Sequence, residues 1–272
     1  MSKITLIAEI GWNHLGDMNL AKEMIEAAAN SGADYAKFQT WSVDGLKPGP
    51  WDTDGRRELY EKAELTDAMH EELYLYCKAV GIKFLTSCFS EDNIELIRKY
   101  CNVVKIPSCE CRNIKLVEKC VDRFDEVIVS TGASTYNEAI ALMPYSVTLM
   151  HCVSSYPCPA DIVNLPRLAS FIDLKNKGMP NNKIGYSGHY QGTADAIAAI
   201  GMGATVIEKH FTLSNDLPGK DNKFALTPDQ FEEIAVFAKT FEQMNIDRGR
   251  DFQESETHER EVHSGRWDNY GS

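Results

Sequence analysis

Eight short runs rich in β-branched residues alternate with segments that have the apolar period of an amphipathic helix. The runs occupy residues 4–10, 35–40, 83–88, 103–108, 126–131, 147–152, 183–188 and 204–212. Strands that alternate with helices form a parallel sheet, because each helix carries the chain back across the sheet. Eight such units in 272 residues therefore predict an α/β fold, the (β/α)8 TIM barrel.

A doubly wound open sheet is the competing architecture. Its dinucleotide-binding form carries G-x-G-x-x-G after the first strand, and no such motif follows residues 4–10. Residues 41–65 interrupt the repeat and predict a long loop, a kind of segment that often covers a functional site. Residues 245–272 are polar and predict an arm or linker, so we expect the barrel to span residues 1–244.

Composition excludes several classes of partner. The net charge of -12 argues against nucleic acid, whose partners usually carry a basic surface. No apolar run is long enough to span a membrane, and the first residues lack the layout of a signal peptide. The eight cysteines form no C-x-x-C pair, so we expect reduced thiols in a cytoplasmic protein.

The stretch GATVIEKHFTL (203–213) places three ionisable residues inside an apolar run. Strand alternation puts Glu208 and His210 on one face and Lys209 on the other, where its ammonium is expected to reach solvent between helices. A carboxylate and an imidazole on one face suit metal binding or proton transfer. A hydrogen-bonded polar patch in the core would give the same pattern.

Other polar residues lie at the predicted carboxyl ends of strands, where TIM barrels carry their active sites. They are Glu9, Asn13, His14, Lys37, Gln39, Ser87, Lys105, Ser108, Ser130, Thr131, His151, Ser187 and His189. Taken singly, each is more readily explained by structure, since hydroxyls at strand ends commonly bond nearby backbone groups. We expect His151 in particular to be a hydrogen-bonded core residue.

Two lysines make a purely structural explanation of these polar residues less satisfactory. Lys37 and Lys105 lie within apolar strands, and a buried ammonium without an anionic partner is costly. Glu9 and Glu208 are candidate partners, which would make the cluster a structural ion network. A ligand with a phosphate and a carboxylate, ringed by serine hydroxyls, would satisfy the lysines equally well.

A metal site is the second candidate feature. His189 and His210 come from the ends of adjacent predicted strands, close enough to share one divalent ion. So few protein ligands would leave the open positions that a catalytic metal needs. Cys109 and Cys111 are weaker candidates, because two thiols without further ligands seldom form a site.

Several motifs together resemble the sialic acid synthases, that is, N-acetylneuraminate synthase and its relatives. The matching stretches occur in the family's order over roughly residues 4–242: residues 7–41, FLTSCFS (84–90), VVKIPSCE (103–110), VIVSTGAS (127–134), LMHCVSSYP (149–157), IGYSGH (184–189) and GATVIEKHFTL with PGKD (203–221). The resemblance implies a TIM barrel that condenses phosphoenolpyruvate with an aldehyde amino sugar such as N-acetylmannosamine. It also implies release of phosphate and a requirement for Mn²⁺ or Mg²⁺.

The resemblance also implies a role for each matching residue. It places the metal on His189 and His210. It assigns phosphoenolpyruvate to Lys37, Ser87, Lys105, Ser108, Ser130 and Ser187. Glu9, Glu208 and Asp221 would face the acceptor and the attacking water, and the remaining substrate-binding positions would be Gln39, Glu110, Ser154 and Tyr156.

Departures from the family pattern bear on the metal and on the acceptor. The family usually has Asp where this chain has Gly188, so support for the metal ligand would have to come from elsewhere. It often has Asn at Ser154 and Gly at Cys109. Family members continue into an antifreeze-like domain whose arginine reaches the partner subunit's site, whereas this sequence stops at Ser272. We therefore expect an altered acceptor side, completed in a homodimer or by a separate antifreeze-like protein.

Two alternatives remain beside the synthase hypothesis. A Schiff-base aldolase on the same barrel would use Lys37 or Lys105 as its nucleophile. A barrel without catalytic activity would bind sugar phosphates or protein partners. The intact set of lysines, serines and histidines favours the synthase.

Overall fold

A closed ring of eight parallel strands forms the centre of the molecule in a computed structural model, which describes residues 3–178 and 183–267. The strands are β1 (Thr5–Gly11), β2 (Tyr35–Thr40), β3 (Lys83–Cys88), β4 (Val103–Ile106), β5 (Glu126–Ser130), β6 (Thr148–Cys152), β7 (Ile184–Gly188) and β8 (Val206–His210). Each strand pairs with the next, and β8 pairs with β1 to close the ring. The predicted TIM barrel is confirmed, and each predicted run contains one strand.

The helices surround the ring. They are α1 (Met18–Asn30), α2 (Arg56–Ala63), α3 (Asp67–Val80), α4 (Ile94–Arg98), α5 (Ile114–Arg123), α6 (Tyr136–Ile140), α7 (Leu165–Asn176), α8 (Ala194–Met202) and α9 (Pro228–Met244). Side-chain caps fix several starts: Asp17 accepts from Asn19 N and Leu20 N before α1, and Thr66 accepts from Met69 N before α3. Such caps satisfy backbone donors that the first helical turn leaves unpaired.

The predicted loop over residues 41–65 is partly helical. It contains α2 and two 3₁₀ turns, Val43–Gly45 and Pro50–Asp52. Tyr60 of α2 stacks on Trp12, which follows β1, with ring centroids 5.3 Å apart. The segment therefore packs beside the carboxyl end of the barrel. The pattern missed α2 because this helix buries only Ala63 and so lacks an apolar stripe.

After α9 ends at Met244 the chain is largely exposed. It forms a 3₁₀ turn at Glu254–Glu256 and a π-helical turn at Glu259–His263. The predicted arm, residues 245–272, ends in residues 268–272, which lie outside the described part, as do residues 1 and 2 of the predicted barrel range. Within the described ranges, no helix has the length and apolar character that crossing a bilayer requires.

An apolar layer closes the amino-terminal end of the barrel interior. It consists of buried, inward-facing residues from five strands: Ile7, Leu85, Ile128, Met150 and Val206. Side chains alternate across a strand, so residues two positions further along point into the same interior, above this floor. The floor therefore supports whatever the next layer carries.

We expect Leu85→Ala to lower the free energy of unfolding by about 2–5 kcal/mol, because it opens a cavity in this floor. Leu85 is fully buried, whereas Leu75 on the outside of α3 is 52% exposed. Leu75→Ala is the matched control and should change stability by about 0.5 kcal/mol or less. Urea unfolding followed by circular dichroism measures both. Equal losses in the two variants would show that the floor is not a tightly packed layer.

Candidate active site

The layer above the apolar floor is polar on almost every strand. Counting two residues along from the five floor residues gives Glu9, Ser87, Ser130, Cys152 and Glu208, and the strands between them add Lys37, Lys105 and Ser187. The strand register places Glu9 beside Lys37, Ser87 beside Lys105, and Ser187 beside Glu208. The barrel thus gathers the sequence-predicted residues into one ring.

Two lysines and two glutamates of this ring form a buried ion network. Lys37 Nζ lies 2.7 Å from Glu9 Oε2 and 3.6 Å from Glu208 Oε1. Lys105 Nζ donates to both carboxylate oxygens of Glu208 at 2.8 Å. All four side chains are almost fully buried. These two glutamates are therefore anionic partners of the kind that the buried lysines required.

The ion network shifts the pKa values of the two carboxyl groups in opposite directions. Burial alone would raise the pKa of Glu208, but the ammonium groups of Lys105 and Lys37 together lower it below its ordinary value. Burial raises the pKa of Glu9, and the Lys37 ammonium offsets only part of that effect. Glu208 is therefore the ionised carboxylate at neutral pH, and Glu9 is the one that gains a proton more easily.

Serine hydroxyls surround the lysines. Ser87 Oγ accepts from Lys37 Nζ at 2.9 Å, and Ser187 Oγ donates to Glu208 Oε1 at 3.4 Å. Ser130 Oγ is buried without a hydrogen-bond partner among the described residues. A buried hydroxyl of this kind normally finds a partner, so Ser130 is available to a ligand.

The loop after β5 brings its backbone against two more predicted serines. Gly132 N donates to Ser108 Oγ at 3.0 Å. A Cβ atom on Gly132 would lie 2.2 Å from Ser154 Oγ and 2.8 Å from Ser108 Oγ. Glycine is therefore required here by the close approach of the loop to these hydroxyls.

Two imidazoles stand at the ends of β7 and β8, above the ring. His189 and His210 have ring centroids 5.3 Å apart, and both are buried. His210 Nδ1 makes no hydrogen bond to the described residues. Burial, reinforced by nearby positive charges such as His189, holds the pKa of His210 well below its ordinary value. Its imidazole is therefore neutral, as metal binding requires.

His189 is oriented by its own neighbours. Its Nδ1 lies 2.7 Å from Val153 O, so Nδ1 carries the proton and Nε2 is left as a free donor atom. Burial would lower the pKa of His189, but the Cys152 thiol, 3.9 Å from Nδ1, and the Val153 carbonyl raise it. Metal binding at Nε2 would then displace a proton.

This pair fits a divalent ion with open coordination positions. Residues 3–178 and 183–267 contain no group of three or more His, Cys, Asp or Glu side chains arranged to hold a metal. An ion held by His189 and His210 would therefore leave its other positions to water or substrate, as in catalytic rather than structural sites.

Three predicted residues lie around the opening of the site. Gln39 Nε2 donates to Glu9 Oε1 at 2.5 Å. Asp221 Oδ2 accepts from Trp12 Nε1 at 2.5 Å and lies 3.8 Å from His210 Nδ1. Tyr156 is 38% exposed, and its ring centroid is 4.1 Å from that of His189. Tyr156 and Asp221 thus lie beside the two imidazoles, and Gln39 lies beside Glu9 of the ring.

Other candidates lie outside the ring. Glu110 is half-buried in the turn after β4, where its carboxylate accepts from Asn113 Nδ2 at 3.4 Å. Ser154 is exposed beside Gly132. Asn13 donates to Phe211 O and Thr131 to Met150 O, so both support the backbone.

Two further histidines have structural roles. His151 is fully buried with Nε2 at 2.8 Å from Val163 O, which confirms its predicted core role. His14 Nδ1 accepts from Gly16 N at 3.1 Å. Burial lowers the pKa of His14 to about 4. It therefore stays neutral in a packed position.

One side chain contradicts its prediction. Lys209 does not reach solvent: it is 2% exposed, and its Nζ lies 2.8 Å from Asp195 Oδ2 on α8. A carboxylate inside the apolar helix sequence TADAIAAIGMG was the available signal for this pairing. Cys152 was also missed as a site residue, although it lies two positions after the inward-facing Met150.

Comparisons with known proteins agree with this geometry. Residues 24–249 match the model of the NeuB family. The N,N'-diacetyllegionaminic acid synthase of Campylobacter jejuni is 34% identical over 257 residues, covering 87% of this chain and 75% of the relative. The Legionella pneumophila enzyme of the same name is 34% identical over 252 residues, covering 84% and 69%.

A solved structure shows the same similarity in three dimensions. The crystal structure of an N-acetylneuraminic acid (sialic acid) synthetase from Leptospira borgpetersenii, in complex with citrate, superposes with a TM-score of 0.85 at 27% identity. The superposition covers 97% of this chain and 93% of that one. The resemblance to the sialic acid synthases is thus confirmed, and the chain belongs to the NeuB family.

Proposed function

We propose that the chain condenses phosphoenolpyruvate with an aldehyde amino sugar to give a nonulosonic, sialic-type acid and phosphate, with Mn²⁺ or Mg²⁺ as cofactor. The observation that carries the proposal is the site itself: two buried lysines, held by carboxylates and, at Lys37, by the Ser87 hydroxyl, lie below two imidazoles, and Nδ1 of His210 is unpaired among the described residues. The family relationship supports the reaction class, and the site supplies groups for both substrates.

Phosphoenolpyruvate would bind in the lysine ring. Its phosphate and carboxylate would replace Glu9 and Glu208 as partners of Lys37 and Lys105. The free Ser130 hydroxyl would complete the shell. Local lysines are needed because the chain's net charge of -12 opposes the approach of an anion.

The reaction then balances with one water. The enol carbon C3 of phosphoenolpyruvate forms a bond to the aldehyde carbon, and the aldehyde oxygen takes up a proton. Water adds to the electron-deficient C2 and loses a proton. The bond between C2 and the phosphate oxygen then breaks, the proton of the new C2 hydroxyl passes to the departing phosphate, and C2 becomes a ketone.

The chain's own groups suit these steps. The Glu208 carboxylate, once phosphoenolpyruvate has taken over the lysines, would accept the proton that water loses. Lys37 and Lys105 would stabilise charge on the departing phosphate. When bound, a divalent ion on His189 and His210 would supply Lewis-acid activation of the aldehyde.

A Schiff-base aldolase is the second candidate. Burial lowers the pKa of Lys105, although Glu208 opposes that shift, and a lysine with a lowered pKa is a better nucleophile. Against this, Lys105 Nζ is held by both oxygens of Glu208 at 2.8 Å. We therefore favour a role for Lys105 in anion binding.

We expect phosphate release that requires phosphoenolpyruvate, a divalent ion and an amino sugar together, assayed over a panel of acceptors. Lys105→Met should abolish turnover or greatly raise KM for phosphoenolpyruvate, because it removes an anion-binding ammonium. The control is Lys119→Met, since Lys119 is exposed on α5. Trapping of a reduced pyruvyl adduct on Lys105, with borohydride and pyruvate, would instead establish the aldolase.

We expect His189→Ala and His210→Ala each to weaken Mn²⁺ binding at least about 10-fold, since changes even to outer-shell partners have that effect. Isothermal titration calorimetry on the metal-free protein measures the affinity. His258→Ala is the control, because His258 lies on the exposed arm. Unchanged affinity in both site variants would refute the metal assignment.

We expect Gly132→Ala to weaken phosphoenolpyruvate binding, because the new methyl group displaces the Ser108 and Ser154 hydroxyls. A hydrogen bond from such a hydroxyl to a charged ligand is typically worth about 1.5–3 kcal/mol, or about 10- to 150-fold in affinity. Gly201→Ala is the matched control, as its Cβ would meet nothing within 4 Å. If both variants bind the ligand as the wild type does, Ser108 does not contribute to the binding site.

A further inference from the structure

A second buried ion pair lies behind the imidazoles, on the outer face of β7 and β8. Lys209 stands between Glu208 and His210 in sequence but points the other way. Its Nζ lies 2.9 and 2.8 Å from the two carboxylate oxygens of Asp195, and 2.7 Å from Tyr190 O. The ammonium is almost fully buried, so these contacts replace its hydration.

The Asp195 carboxylate occupies the space where a side chain at position 188 would lie. Gly188 pairs with Lys209 across the two strands. A Cβ atom on Gly188 would lie 2.2 Å from Asp195 Oδ2 and 2.5 Å from Tyr186 Cε1. Tyr186 OH donates to the same Asp195 oxygen at 2.8 Å. The absent side chain on β7 and the carboxylate on α8 are thus complementary.

This pair reaches the metal-site histidine through the backbone. Gly188, His189 and Tyr190 are consecutive. The carbonyl of His189 accepts a hydrogen bond from Cys158 N at 2.9 Å, and the Nδ1–H of the His189 ring donates to Val153 O. The next carbonyl, that of Tyr190, is held by the Lys209 ammonium. One of the three anchors of this segment therefore depends on Lys209.

We infer that Asp195 is a positioning residue that fills the space beside Gly188 and holds the ammonium of Lys209. Through that ammonium it fixes the Tyr190 carbonyl and hence the backbone that presents His189. The inference rests on the proposed function for the identity of the ligand, a divalent ion, but not for the geometry of the imidazole.

The test moves the carboxylate from α8 to β7. Asp195→Ala removes it and leaves the Lys209 ammonium buried without a counterion. Gly188→Asp alone crowds a second carboxylate against the first. The double variant G188D/D195A places one carboxylate beside Lys209 again, on the paired strand, and frees the Tyr186 ring to shift.

Two readouts follow the imidazole separately from activity. The first is the hydrogen-bonded Nδ1–H resonance of His189 in the metal-free, ¹⁵N-histidine-labelled protein, assigned with His189→Gln. The second is Mn²⁺ affinity by calorimetry. We expect Asp195→Ala to lose the resonance and to bind Mn²⁺ about 10- to 100-fold more weakly. Phosphoenolpyruvate affinity should change little, and the double variant should regain both signals.

The control is Asp173→Ala, because Asp173 forms an exposed pair with Lys177 on neighbouring α7. If Asp195→Ala does not fold, Asp195→Asn keeps the volume and is compared with the double variant in its place. The inference is overturned if the Asp195 variant keeps the wild-type Nδ1–H resonance. It is also overturned if the double variant lacks the resonance and binds Mn²⁺ as weakly as the single Asp195 variant. Wild-type protein that binds no Mn²⁺ would refute the metal proposal, while the resonance would still decide the positioning role.

Discussion

The cost of removing an ammonium group from water governs the interior of this barrel. Lys37, Lys105 and Lys209 are all almost fully buried, and each lies against a carboxylate. Breaking such a pair from one side leaves an uncompensated charge. Losing one of these carboxylates would therefore be costly unless another carboxylate takes over the same ammonium.

Much of the barrel could be predicted because parallel strands are covered on both faces and so appear as apolar runs. The helix α2 could not be predicted from the apolar pattern, since it is polar and buries only Ala63. The predicted solvent exposure of Lys209 was wrong because its partner, Asp195, belongs to a different element, α8. Strand alternation gives the face of a side chain but not what is packed against it.

The candidate site could be predicted as a set of residues, but not as a set of contacts. Lys105 and Glu208 belong to β4 and β8, which are not neighbours in the ring. Their contact exists only because the barrel closes and brings both side chains into one interior. The sequence therefore left both a ligand and Glu208 as candidate partners of Lys105, and the closed ring shows that Glu208 is one of them.

The apolar floor limits how a molecule could reach the lysine ring. Ile7, Leu85, Ile128, Met150 and Val206 pack together below the ring, whereas Tyr156, on the opposite side, is 38% exposed. A molecule bound among the lysines would therefore enter past Tyr156, and a second molecule resting beside Tyr156 would lie over the first.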